Sequence, residues 1–231
     1  MADQSAQRLQ HLKLFEGLPL ATLEGFEKRC VWQTCQAGEE ILARNSDSMD
    51  VYCVVEGSVK VANFSLTGRE IAYATLPAGE FFGELAAIDH KTRSSSVIAA
   101  EKSLLLSIDP HQFENLVLSH PEIGLRVLKK LASVIRNTDE RIMDLSTMSA
   151  HQRLFSEILR QCEPDPITQN RWQIYPMPTQ QALASLIGTT RETVARALGE
   201  LASSGIAHRK GRTLYVNDKD RLTELAQALS H

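Results

Sequence analysis

Ser119-His120-Pro121-Glu122, running on through IGLRVLKKLASVIRNTDERIMDLSTM from Ile123 to Met148, is the stretch on which the fold turns. Its opening has capping-box spacing, a serine three residues before a glutamate, with a proline where the first helical turn needs no backbone donor. Gly124 aside, nothing inside it breaks a helix. Leu128, Leu131, Ile135, Ile142 and Leu145 recur at alternating spacings of three and four, and Thr138 fills the one remaining slot. That is a heptad seam. An amphipathic helix lying on its own domain gives a similar pattern. The narrowness of the seam and its single polar member favour two chains, so the five apolar residues are expected to form a homodimer interface.

Working outward, a chain of 231 residues has room for one large or two small domains, and 43% hydrophobic with 23% charged residues describes an ordinary soluble protein. No apolar run approaches the roughly 18 residues of a membrane span, and MADQSAQRLQHLK carries no signal-peptide core. A cytoplasmic protein with no membrane partner is expected. Cys30, Cys35, Cys53 and Cys162 lack close paired spacing, so each is expected to be a free thiol, and no metal is expected. The net charge of −3 hides an asymmetry: residues 1–149 hold 15 Lys+Arg against 20 Asp+Glu, residues 150–231 hold 10 against 8. The C-terminal part is the basic one, a weak pointer to nucleic acid by itself.

Upstream of the seam, Leu9, Leu12 and Phe15, then after Pro19 Leu20, Leu23 and Phe26, predict helical segments from about Ala6 to Arg29 that pack on the next stretch of chain. Between Cys30 and Ser107 the texture changes to short apolar stretches (51–55, 59–61, 71–73, 104–106) separated by Gly38, Gly57, Gly68 and Gly79. Short strands with turns at that spacing predict an antiparallel barrel or roll, whose interior can hold one small ligand. Inside it lies Phe81-Phe82-Gly83-Glu84-Leu85-Ala86, followed by Arg93-Ser94-Ser95-Ser96. A glycine permits close backbone approach, a helical turn after it offers free amides, and a forked guanidinium suits a phosphate. Glu84 would repel that phosphate and must therefore face hydroxyls. Taken alone, these are also ordinary surface-loop residues.

Resemblance decides between the two. Gly83-Glu84-Leu85-Ala86 and Arg93-Ser94-Ser95, nine residues from glutamate to arginine, resemble the phosphate-binding cassette of cyclic-nucleotide-binding domains. The resemblance implies that Arg93 grips a cyclic phosphate, that Ser94, Ser95 and the backbone of Leu85 and Ala86 assist, and that Glu84 holds the ribose.

Beyond the seam, Gln152 to Cys162 predicts an amphipathic helix ended by Glu163-Pro164-Asp165-Pro166. Pro178 to Leu198 then predicts two helices joined at Gly188, with Thr179 and Thr190 as N-caps: a helix-turn-helix. Val194, Leu198 and Leu201 share one face of the second helix, Glu192, Arg196 and Gly199 the other, and Arg191 stands at its first turn. An ordinary helical hairpin with Glu192 and Arg196 paired on its surface is the bland alternative. Ile206 to Arg209, a turn at Lys210-Gly211, and Thr213 to Val216 predict a basic wing.

Sensor roll, long helix and winged helix in this order resemble the cyclic AMP receptor protein family of bacterial transcription regulators across essentially the whole chain. The implied fold is α+β, with a cyclic-nucleotide-binding β-roll and N-terminal helices over residues 1–118, a dimerisation helix over 119–149 and a winged-helix DNA-binding domain over 150–231. Arg191, Glu192, Thr193 and Arg196 match the family's base-reading positions. The resemblance then implies a palindromic operator of TGTGA-like half-sites in double-stranded DNA, with Lys210 on phosphate, and RNA polymerase as a further partner. Arginine forks guanine and glutamate accepts from cytosine, which agrees with those roles. Thr138 matches the residue that contacts the adenine amino group. Its neighbour, serine in the type member, is Asp139 here, so cyclic AMP is the expected ligand with cyclic GMP beside it. Haem, redox or cyclic di-GMP sensing on the same fold, and a regulatory subunit of a cyclic-nucleotide-dependent enzyme, are the alternatives. An N-terminal cysteine cluster is lacking, and no nucleophile with its base marks an enzyme.

Overall fold

The computed structural model describes residues 7–66, 68 and 70–228. Two units divide within the long helix, at Ile135/Arg136. In the first, two four-stranded antiparallel sheets form a roll. One has the order β1 (Val31–Cys35), β8 (Ser103–Ile108), β3 (Val51–Glu56), β6 (Phe81–Phe82); the other β2 (Glu40–Leu42), β7 (Ser96–Ala99), β4 (Ser58–Phe64), β5 (Glu70–Pro77). Cys35, Leu42, Val54, Val59, Phe82, Val97 and Leu105, drawn from both sheets, fill the space between them.

Strands β3 and β8 are covered on both faces, which is why their apolar stretches at 51–55 and 104–106 show no alternation. Tyr52, Val54 and Leu105 point into the roll. Val51, Cys53, Leu106 and Ile108 point the other way, into a second core with Leu9, Leu12, Phe15, Leu23 and Phe26 of the N-terminal segment. Helical residues 7–10, a 3-10 turn at Lys13–Phe15 and a helix over Leu20–Glu27 therefore pack on the roll as expected.

One helix in this unit went unread in the sequence. Asp109 caps a helix over Pro110–Ser119, its carboxylate accepting from the His111 and Gln112 amides, with Pro110 at the first position. Phe113 and Leu116 bury in the second core. The long helix spans Pro121–Thr147 and starts at the expected proline, but its expected cap is corrected. Ser119 ends the preceding helix and does not cap the long one; His120 sits at the junction, its ring 3.5 Å from the Glu122 carboxylate.

Ile123 and Val127 of the long helix are buried in the same core, and Leu131 packs partly against it. The seam face is otherwise open: Leu128, Ile135, Ile142 and Leu145 are 56–63% exposed.

In the second unit a helix over Ala150–Gln161 starts at Ser149 with a complete capping box to Gln152. The winged core gathers Leu154, Ile158, Leu183, Ile187, Val194, Leu201, Ile206, Leu214 and Leu222. Its sheet is four-stranded, in the order β11 (Ala207–Lys210), β12 (Thr213–Val216), β10 (Trp172–Ile174), β9 (Glu163–Pro164). Lys210 pairs with Thr213, so the wing turns at Gly211-Arg212, one residue later than expected. A last helix spans Lys219–Gln227. Arg153 ties this unit together: its Nε donates to the Ile187 carbonyl at 2.9 Å and its Nη1 to that of Met148 at 2.7 Å. Arg160 adds an ion pair to Asp144 at 3.0 Å.

Candidate functional site

The cassette is built around a backbone position that only glycine suits. Gly83 has φ +86°, and a Cβ there would stand 2.8 Å from the Asp50 carbonyl oxygen and 2.9 Å from Arg93 Nη1. It opens the short helix Glu84–Asp89, which His90 closes in the left-handed region. Ala86 is buried and Leu85 is exposed.

Arg93 is 3% exposed, a buried cation that must be paired or hydrogen-bonded. Its Nε donates to Ser48 Oγ at 3.0 Å, Nη1 to the Gly83 carbonyl at 2.8 Å and Nη2 to the Asp50 carbonyl at 2.7 Å. Burial pulls the guanidinium down from its ordinary range, while Tyr52, Asp50 and Glu84 push it back up. Asp50 is itself held, accepting from Ser107 Oγ at 3.0 Å. An arginine has five N–H donors. The three bonds among the described residues leave one N–H on each terminal nitrogen for an oxygen acceptor.

Glu84 is 7% exposed and lies 3.5 Å from Lys130 Nζ of the long helix. Sequence reasoning missed Lys130, which stands 46 residues away and carries no local signal. It missed Asn63 as well: buried in β4, Asn63 donates to the Ser94 carbonyl at 3.3 Å and accepts from the Ser96 amide at 3.4 Å, anchoring the end of the cassette to the sheet. Ser94 is exposed and Ser95 half-buried. Gly83, Arg93 and Ser94 are thus held through Ser48, Asp50 and Asn63, and Glu84 through Lys130 of the long helix.

Thr138 and Asp139 lie on the C-terminal half of the long helix, both exposed. Asp139 lines an open cavity of about 590 Å³ with Glu140, Met143, Met148, Leu159 and Arg160.

In the winged unit the expected caps are present. Thr179 accepts from the Ala182 amide at 3.1 Å and Thr190 from the Thr193 amide at 3.3 Å. Gly188, with φ +70°, joins the helices Gln180–Ile187 and Arg191–Ser203, and a Cβ on it would meet Leu145 Cδ2 at 3.3 Å. Val194, Ala197 and Leu201 form the buried face of the second helix, Ala197 standing deeper than Leu198, which is half-buried. Arg191, Glu192 and Arg196 are exposed and Thr193 half-buried. Its own backbone N–H, the Thr190 hydroxyl and Arg191 hold the Glu192 carboxyl below its usual range. His208, Arg209, Lys210 and Arg212 are all exposed around the wing turn. A carboxylate acceptor beside arginine forks on one open helix face, flanked by a cationic wing, has the chemistry to meet base edges and phosphates.

Residues 32–120 match the family model of the cyclic nucleotide-binding domain, and residues 152–225 that of the Crp-like helix-turn-helix domain. The Cyclic AMP receptor protein of Thermus thermophilus is 30% identical over 195 residues, 84% of this chain and 87% of the relative. The CRP-like cAMP-activated global transcriptional regulator of Mycobacterium tuberculosis is 24% identical over 215 residues, 93% of this chain and 96% of that protein. Among solved structures, a mutant of CooA from Carboxydothermus hydrogenoformans shares the fold with a TM-score of 0.77 at 24% identity, covering 88% of this chain and 90% of the other. Roll, cassette, long helix and winged helix follow one another here in one chain, both family models match in that order, and the chain belongs to the cyclic AMP receptor protein family of cyclic-nucleotide-binding transcription regulators.

Proposed function

We propose that the protein is a homodimer that takes cyclic AMP, and cyclic GMP beside it, in the roll and in response reads a palindromic TGTGA-like operator. The observation that carries this reading is the Arg93 fork, buried and oriented by three protein acceptors beside a glycine-opened helical turn. A cyclic phosphate offers it two oxygens, and Glu84 offers a carboxylate to the ribose hydroxyl. Cyclic AMP is favoured by the two relatives described by that ligand. In this reading Thr138 and Asp139 address the base. An ionised Asp139 only accepts, so it suits the adenine amino group and still better the N1–H and amino group of guanine.

The seam residues Leu128, Leu131, Ile135, Ile142 and Leu145 pair two chains, so that two recognition helices meet major grooves about 34 Å apart. Arg191, Glu192, Thr193 and Arg196 read bases, and Thr179, Thr190 and Lys210 hold the backbone. The chain acts as a regulator in the cytoplasm and not as an enzyme, with RNA polymerase as a further partner.

Calorimetry with cyclic AMP, cyclic GMP and cyclic di-GMP, then titration of a duplex carrying inverted TGTGA half-sites, tests the proposal. Cyclic AMP is expected to bind and to tighten DNA binding several-fold to about a hundredfold, the usual range of allosteric coupling. Asp139→Ser should weaken cyclic GMP selectively. Binding of cyclic di-GMP alone, or of no nucleotide, overturns the ligand.

A further inference from the structure

Lys130 occupies an unusual place for an ammonium group. It comes three positions after Val127 and seven after Ile123, so it falls on the face of the long helix that is buried against the roll. Its Nζ lies 3.8 Å from the centroid of the Phe81 ring, donates to the Phe81 carbonyl oxygen, and stands 3.5 Å from Glu84 Oε2. Phe81 stands two residues before the cassette glycine and Glu84 directly after it, so a single side chain straddles Gly83. The pair is nearly dry, with 17% of the lysine side chain and 9% of the glutamate side chain exposed. Removing one partner of such a pair leaves a buried charge without compensation, so each holds the other in place.

We infer that Lys130 is the positioning residue that ties recognition of the ribose 2′-hydroxyl to the long helix. This rests on the cyclic-nucleotide reading above. A carboxylate has two oxygens and about four acceptor sites. Lys130 engages Oε2, which fixes the carboxylate and leaves acceptor capacity for a sugar hydroxyl. A hydroxyl donating to Glu84 shares the charge that holds Lys130, and Lys130 belongs to the helix that continues into the seam. Ribose occupancy and the setting of that helix are therefore linked through one ammonium group, apart from the grip of Arg93 on phosphate.

The test compares full-length wild-type protein with Lys130→Met and Lys130→Arg. Calorimetry gives the affinities for cyclic AMP and 2′-deoxy cyclic AMP, and DNA titration gives the response to each. Wild type should prefer the ribo form about tenfold, the worth of one hydrogen bond to a charged group. In Lys130→Met that preference should fall to within threefold of unity, affinity for the deoxy form should hold within threefold, and the DNA response should vanish. Lys130→Arg should recover the preference at least in part. A merely structural lysine would move both nucleotides together. If Lys130→Met loses the folded roll by circular dichroism, Lys130→Gln is read in its place. Wild-type binding with an unchanged preference and DNA response in the folded variant overturns the role of Lys130 alone. A wild type that binds neither nucleotide overturns the ligand reading and the inference together.

Discussion

Arg93 Nη1 reaches back 2.8 Å to the carbonyl oxygen of Gly83, so the residue that offers the charge and the residue that opens the helical turn are one hydrogen-bonded unit. Arg93→Leu removes both the charge and the bond. Nucleotide affinity should fall at least a hundredfold, about 3 kcal/mol, as expected for a lost bidentate charge-assisted contact. Gly83→Ala should act on stability: the left-handed backbone alone costs about 1–3 kcal/mol, and its Cβ would press on the Asp50 carbonyl. A thermal melt of the roll and calorimetry check the two, and an unshifted melt for Gly83→Ala would refute the geometric demand.

The seam variants should separate assembly from folding. Leu128 and Ile135 are 63% and 61% exposed and contribute little to the core of their own chain. Replacing both with alanine should halve the mass seen by light scattering while circular dichroism stays native. Leu131 is a poorer choice, because it packs partly against the roll core. A dimer that survives the double change would place the interface on another face.

On the exposed face of the recognition helix, Arg196→Ala should cost about 1–3 kcal/mol on the preferred operator and relax preference at one base pair. Lys210→Ala, on the wing, should weaken all sequences alike and flatten the salt slope by about one. Titrations of matched and scrambled duplexes at several salt concentrations distinguish them. Equal losses on every duplex for Arg196→Ala would move base reading elsewhere.

The cysteines should be inert. Burial pushes the Cys30 thiol up to about 12, with Arg29 opposing and Glu27 adding to the shift. Cys35, Cys53 and Cys162 are likewise raised by burial. The thiolate is the reactive form, and at pH 8 a group titrating near 12 is ionised in roughly one molecule in ten thousand. Alkylation by iodoacetamide at pH 8 should therefore be about a hundredfold or more slower in the native protein than in denaturant. Rapid native labelling of Cys30 would revive a redox role.

How much of the molecule is legible in the chain depends on the reach of each signal. Thr179, Gly188 and Thr190 act within four residues of themselves, and all three stand where their chemistry placed them. The apolar runs 51–55 and 104–106 announced the strands β3 and β8, but not that both of their faces are covered. Asp109-Pro110 was an equally local start signal and went unread, which led to Ser119 being assigned to the wrong helix. The strands β9 and β10 have two and three residues, too few for any alternation to show. Lys130, Asn63, Ser48 and Asp50 shape the cassette through contacts 31–46 residues distant in the chain, and spacing cannot foretell such pairs.

Arg153 donates with one guanidinium to the last carbonyl of the helix Gln180–Ile187 and to that of Met148, directly after the long helix. The helix-turn-helix is keyed to that helix like a blade to a shaft, and every turn of the shaft about its axis is a turn of the blade. Each residue of an α-helix advances the azimuth by about 100°, so one residue inserted into the shaft would swing the blade more than a quarter turn. Seven residues amount to roughly two turns and almost restore it. Which way the exposed face of Arg191, Glu192 and Arg196 looks is in this sense a question of helical phase, open to change by length alone while every side chain on that face stays the same.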